Sequence, residues 1–179
     1  MTEYVAERYQ NEGSGTLLPP RPEDRAKVRL FQELCGPSFA YLGILRAPSL
    51  EVLEVERAKL QDRLISLNTF LASSAACGPF LCGDQFTLAE CYLSPFLQRS
   101  CSILPKREEF DLSEPPPLSL GSLHPLDICS ELGLAHTDRW ICGVLSRPSV
   151  QATCPLPEEM DSKKGKLLKR IARLSRRTV

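Results

Sequence analysis

Apolar positions recur three and four residues apart along most of the chain, the period of helices packed on one another. The clearest run is Leu50 to Ala75. There Leu53, Leu60, Leu64, Leu67 and Leu71 form a stripe with Arg57 in its one gap, and Glu54, Glu56, Lys59, Asp62 and Arg63 fall outside it. A leucine stripe suits a coiled coil, but a second periodic run lies just before it, so an antiparallel hairpin inside a bundle is the plainer reading. That run goes from Arg25 to Arg46, with Val28, Phe31, Leu34 or Cys35, Phe39, Leu42 and Leu45 at helical spacing. Gly36-Pro37 interrupts it. A kink is expected there, because proline removes a donor and crowds the carbonyl four residues earlier. Ala47-Pro48-Ser49 turns the chain, with Ser49 as an N-cap. Before both runs, Met1 to Gln10 reads as the tail of a helix whose apolar side is Tyr4, Val5 and Tyr9. Asn11 to Pro22 reads as a linker.

The stretch from Gly78 to Phe96 organises the remainder. Gly83 permits the positive φ of a tight turn. Thr87 and Glu90 then form a capping box, the hydroxyl accepting from the Glu90 amide and the carboxylate from the Thr87 amide. Leu88, Cys91, Tyr92, Leu93 and Phe96 follow with almost no charge, so this helix is expected inside the bundle. Pro95 would kink it if it stood alone, which also argues for tertiary support. Leu104 to Leu123 reads as a loop, long for a bundle connection. A surface insertion is the plainer account, and a polyproline docking segment at Pro115 to Pro117 the sharper one. His124-Pro125 begins a short segment through Leu132. A last helix, His136 to Arg147, carries Trp140, Ile141, Val144 and Leu145 on one side and stops at Pro148. Trp140 reads as core, with a ligand platform as the alternative, and His136 as a surface or capping residue.

Charge changes this picture only at the end of the chain. Lys and Arg number 22, as do Asp and Glu, so the net charge is zero. From Ser162 onward there are eight basic residues and no acid, leaving −8 on the body and +8 on the tail. Leu167, Leu168, Ile171 and Leu174 make an apolar stripe if that tail is helical. An anionic membrane, an acidic partner or nucleic acid, or docking back onto the acidic body would each use it, as would a solvated terminus with no use at all. Removing Ser162 to Val179 is expected to leave the fold intact. The expected division is therefore a helix remnant and linker over 1–20, a helical domain over 21–157 and a basic amphipathic tail over 158–179. The fold class is all-α.

Little in the sequence promises chemistry. The eight cysteines contain no Cys-x-x-Cys pair and there are two histidines, so no metal site is expected. Buried, inert thiols are the plain reading, with a reactive thiol at Cys82 beside the turn as the alternative. No Gly-rich phosphate loop, Gly-x-Ser-x-Gly elbow or His-Glu-x-x-His is present. Aromatic and basic residues do not interleave, so no dedicated nucleic-acid site is expected. No signal peptide and no membrane-length apolar run can be read, so a cytoplasmic location is expected.

The string FLCGDQFTLAECYLSP resembles a segment of the C-terminal helical domain of glutathione transferases, where a Gly-Asp turn precedes a Ser/Thr-x-x-Asp capping box and a core helix. LLPPRPEDRAKVRLFQEL upstream looks like that family's link into its fourth helix, and RWICGVLSRPSVQAT downstream like its closing helix. Together these cover about Leu17 to Thr153. The resemblance implies a helical bundle of that type, with Asp84, Thr87 and Glu90 as its structural capping motif. It implies a substrate-pocket wall near Arg29, Gln32, Phe39 and Tyr41, with Trp140 a further candidate, and a surface for a homodimer or a thioredoxin-like domain. In that family the thioredoxin-like half holds glutathione and carries the catalytic residue. It would lie before Met1, so no catalytic or cofactor-binding residue is expected here, and glutathione only once that half is supplied. A helix remnant starting mid-element favours truncation over a genuine lack of the domain. Two functions stay open. One is the pocket and dimerisation domain of a glutathione-dependent transferase or thiol transferase, inactive alone. The other is a non-catalytic interaction module of the kind used in translation-factor and synthetase assemblies.

Overall fold

Ser49 opens the longest helix as its position suggested, its hydroxyl accepting from the Val52 amide at 3.3 Å. The computed structural model describes residues 2–9, 12, 16–35, 41–74, 77–110 and 121–176. Among them the chain is helical: α1 Thr2–Arg8, α2 Pro22–Cys35, α3 Leu42–Arg46, α4 Leu50–Ser73, α5 Leu88–Ile103, α6 Pro125–Leu132, α7 Ala135–Ser146, α8 Pro148–Gln151 and α9 Pro157–Ser175. A short 3₁₀ turn covers Arg107–Glu109. The only pairing of strand type in the described residues is a pair of isolated bridges, Phe80 with Gly83 and Cys82 with Gln85, in the turn before α5.

Helix α4 buries Leu50, Leu53, Leu60, Leu64 and Leu67 against α2 and α7. Arg57, the one cation in that stripe, is mostly covered because it has work for its guanidinium. Nε donates to the Ser122 carbonyl at 2.8 Å and Nη2 to Glu131 at 3.1 Å. The guanidinium crosses so close to Gly121 that a Cβ there would lie 2.2 Å from Nη2. Helix α2 turns Val28, Phe31 and Cys35 inward, while Leu34 is exposed, so the inward stripe runs through Cys35 and not through its neighbour. The phenyl ring of Phe31 meets Phe70 of α4 and Trp140 of α7, each at 5.6 Å between centroids. The expected kink at Gly36-Pro37 lies outside the described residues, as do Phe39 and the prolines at Pro115 to Pro117.

Helix α5 packs against α1, α2, α6, α7 and α9. It runs through Pro95 unbroken, and the Cys91 carbonyl, which would otherwise bond the amide that proline lacks, accepts from the Ser94 hydroxyl at 3.4 Å. The burial pattern corrects the sequence reading in one respect. Leu88 and Leu93 are buried with Leu97 and Ile103, but Tyr92 and Phe96 are 43% and 42% exposed, their rings 6.3 Å apart. A helix with so little charge gives no clear contrast between an inner and an outer face, so spacing alone assigned all its apolar residues inward.

Both ends of the chain also differ from expectation. Helix α1 turns Ala6 to the bundle and leaves Tyr4, Val5 and Tyr9 exposed, and Glu3 pairs with Arg29 of α2. The basic segment read as an appended tail is α9, packed on α5 and α4 with Met160, Leu167 and Ile171 buried. Polar contacts fix it further. Lys164 pairs with Glu109 at 2.9 Å, and the Arg170 guanidinium donates to the last carbonyls of α3, those of Leu45 and Arg46. Those carbonyls have no partner inside their own helix, so a cation there meets both a hydrogen-bonding need and the negative end of the helix dipole.

Candidate functional site

The stretch that begins α5 is built by a close approach of backbone. Gly78 has φ +152°, and a Cβ on it would stand 2.3 Å from the Gly83 carbonyl carbon, so two segments touch that only glycine allows. Gly83, at φ +75°, exchanges backbone hydrogen bonds with Phe80 at 3.0 and 3.2 Å. The Phe80 and Phe86 rings pack edge to face, and the Arg147 guanidinium covers Phe86 at 4.1 Å from its centroid.

The capping box forms at Thr87 and Glu90. All the early amides of α5 find acceptors: Thr87 N donates to Glu90 Oε2 at 2.8 Å, Leu88 N to the Leu17 carbonyl at 2.9 Å, and Ala89 N to Thr87 Oγ1 at 3.3 Å. The linker thus contributes a carbonyl to the cap, and Leu18 beside it is buried. Glu90 goes well beyond a cap. It is fully buried, and its Oε2 also accepts from the Thr87 hydroxyl at 2.7 Å, while Oε1 accepts from the Leu81 amide at 2.9 Å and from Trp140 Nε1 at 3.1 Å. Four donors therefore surround one buried carboxylate, which joins the turn, α5 and α7. Asp84 is exposed at the turn, and its carboxylate stands outside the cap.

The residues suggested for a pocket wall differ in their surroundings. Arg29 is exposed on α2 and paired with Glu3 at 2.9 Å. Gln32 donates to the Leu88 carbonyl at 3.1 Å, so it too serves the entry to α5. Tyr41 is half-buried before α3. Trp140 is a core residue, 2% exposed with its indole N–H bonded to Glu90, and is not an open platform. The cleft it borders with Pro79, Phe80 and Arg139 holds about 20 Å³, room for one water and no more. A second cleft, among Gln98, Cys101, Leu145 and Cys154, is about 200 Å³ and falls short of the usual ligand-pocket range.

Burial holds the inner thiols in their neutral form. Burial pushes Cys82 up to about 11, and Asp24 and Glu90 add to the shift. Burial likewise raises Cys35 to about 11 and Cys129 to about 12. At neutral pH these groups are protonated, so Cys82 lacks the thiolate its candidate role requires. Asn68, which the spacing did not single out, caps α7 from α4. Its Oδ1 accepts from the amides of His136 and Thr137 at 3.0 and 3.1 Å. An amide capping a helix from another helix leaves no mark in local sequence. His136 itself is exposed at that helix start. Among the described residues no three His, Cys, Asp or Glu gather as a metal ion requires, and no helix is long and apolar enough to cross a membrane.

Comparison with known proteins adds three findings. The family model described as glutathione S-transferase, C-terminal domain, matches residues 27–122. The 2-hydroxypent-2,4-dienoate hydratase of Pseudomonas putida is 32% identical over 74 residues, which are 40% of this chain and 33% of that protein. Among solved structures, TDR1 of Leishmania, a trimeric glutathione transferase, superposes with a TM-score of 0.60 at 20% identity, covering 88% of this chain and 32% of that one. At that identity the likeness concerns the fold. The chain spans about a third of the length of each of these two proteins. The matched region takes in most of α2, then α3, α4, the turn and α5 with Glu90, and by that match the chain belongs to the glutathione S-transferase C-terminal domain family.

Proposed function

We propose that this chain is the helical, substrate-side half of a glutathione transferase-like protein. It would work with a thioredoxin-like lobe that supplies glutathione and the catalytic residue. The observation that carries this reading is the outer face of α5. A helix packed by five others still presents Tyr92 and Phe96 to solvent, and Tyr92 comes one turn after Leu88, whose carbonyl Gln32 holds. Paired exposed rings on a core helix mark a surface prepared for another body. The lobe would close over this face, and Arg29, Gln32 and Tyr41 would form the helical wall beside it. Electrophile binding falls to this half and thiolate stabilisation to the other, which agrees with the protonated state of the buried thiols here.

The test has two arms. The chain alone is assayed for conjugation of glutathione to a chloronitrobenzene and for retention on immobilised glutathione. The same is done with a thioredoxin-like lobe joined before Met1. Conjugation by the joined protein only, reduced by Tyr92→Ser with Phe96→Ser, is the expected result. Conjugation by the chain alone would overturn the division of labour. A joined protein that folds and binds no glutathione would favour the interaction-module reading instead.

A further inference from the structure

Helix α9 divides its basic residues between two tasks. Lys163 pairs with Glu159, Lys164 with Glu109, and Arg170 with the carbonyls ending α3. These fasten the helix, together with Met160, Leu167 and Ile171 beneath it. Lys166, Lys169 and Arg173, with Arg176 at the C-cap, follow at intervals of three, four and three residues, which puts them on one face. All four are exposed, and with Ala172 they border a shallow open hollow. Among the described residues, no carboxylate forms an ion pair with Lys166, Lys169 or Arg173. At 1.5 Å of rise per residue the row extends roughly 15 Å.

We propose that this outward face of α9 binds the phosphate backbone of nucleic acid without reading its bases. Docking back onto the acidic body already occupies the opposite face, so it does not explain the row. Membrane insertion needs apolar side chains beside the charges, and no large hydrophobic residue of α9 is exposed. The occupant must be met by charge alone. A nucleic-acid strand offers a matching line, with one phosphate per roughly 3.4 Å of axis, so a row of this length faces about four of them. The row is also fixed in place before binding, because its helix is bolted down by the other face, and little ordering entropy is lost when the partner arrives. No aromatic residue lies on α9 to stack on a base, so the contact is indifferent to sequence. The expectation of no dedicated nucleic-acid site rested on the lack of interleaved aromatics, which a contact to the backbone alone does not need.

The test is anisotropy of a labelled oligonucleotide of roughly 20 nucleotides, single-stranded and duplex, titrated with the full chain from about 50 mM salt upward. Binding is expected to both, and for the duplex log K should fall against log salt with a slope of about −3 to −4. Lys166→Glu with Lys169→Glu and Arg173→Glu should weaken binding at least tenfold while the thermal melt stays unchanged, since the three side chains are exposed. Lys166→Gln with Lys169→Gln gives a milder variant for the same comparison. Arg139→Glu, an exposed charge on α7, serves as the control and should change binding less than twofold. Absence of binding at the lowest salt, an equal loss in the Arg139 variant, or tighter association with phosphatidylserine vesicles than with either oligonucleotide would overturn the proposal.

Discussion

Replacing Glu90 with glutamine tests whether four donors around one carboxylate hold this bundle together. The substitution keeps shape and volume. It changes one oxygen into an NH2 group, and in either orientation that group faces two donors. If it takes the Oε1 place it meets Leu81 N and Trp140 Nε1; if it takes the Oε2 place it meets the amide and hydroxyl of Thr87. The second orientation is the milder one, because the Thr87 hydroxyl can rotate and accept. The Thr87 amide then stays unpaired in a buried site, and the bonds that remain lose their charge. Hydrogen bonds to charged groups contribute about 1.5–3 kcal/mol each, so a loss of about 2–4 kcal/mol is expected after relaxation. That is a large part of a typical stability of about 5–15 kcal/mol. In urea, with a slope of about 2 kcal/mol per molar, the midpoint should fall by about 1–2 M. Trp140 is the one tryptophan of the chain and sits at the site, so its emission reports the transition, with far-ultraviolet circular dichroism as a second probe. Thr87→Ala, which removes the hydroxyl and leaves the carboxylate, should cost only about 1 kcal/mol. A Glu90→Gln protein whose midpoint stays at the wild-type value would refute the claim that this carboxylate is the joint between the turn, α5 and α7.

Two further outcomes follow from other parts of the molecule. Burial is the largest influence on His124 and holds its imidazole below the ordinary 6.5, against the opposing pull of Asp127 and of the Cys101 carbonyl. Because the folded value is the lower one, the unfolded chain takes the proton first, so stability should fall as pH drops through and below about 6.5. His124→Gln should lose less stability than wild type between neutral and acid pH in urea titrations, and parallel curves for the two proteins would count against the assignment. The segment expected to be dispensable should prove otherwise. Deleting Ser162 to Val179 removes the buried Leu167 and Ile171, each worth about 1.5–3 kcal/mol in burial, so the melting temperature should drop and dye binding to exposed apolar surface should rise. An unchanged melt would show that α9 rests on the bundle without supporting it.

What the sequence made legible was mostly local. Ser49 and the Thr87–Glu90 pair are caps whose partners lie within three residues, and both formed as spacing required. The leucine stripe of α4 has charge on its other face, so its inward side could be read. Contrast was what failed elsewhere. In α5 the apolar residues run all the way round, and only the packing of its neighbours decides that Leu93 goes in and Tyr92 stays out. Glu90 was read as half of a cap, whereas two of its donors come from Leu81 and from Trp140, the latter fifty positions away. The basic end of the chain looked like a solvated tail because its charge dominates, although its two buried aliphatic residues sit four apart, as a docked helix requires. Of the five residues suggested for a pocket wall, one lies outside the described residues and Trp140 is core. Such a wall is a property of surface shape, which helical spacing does not encode.

One oxygen of Asp127 accepts the Arg107 amide at 3.1 Å and the Ser122 hydroxyl at 2.7 Å, while Arg57 grips the Ser122 carbonyl from the other side. The described segments that end at residue 110 and resume at 121 are therefore tied to each other by this clasp. A longer or shorter connection between those two points would load the clasp before it loaded the helices. Closure entropy grows only by about 0.6 kcal/mol for each doubling of such a segment. Relatives built on this plan are thus free to lengthen, shorten or decorate this connection, and evolution can try new appendages there while the bundle underneath stays as it is.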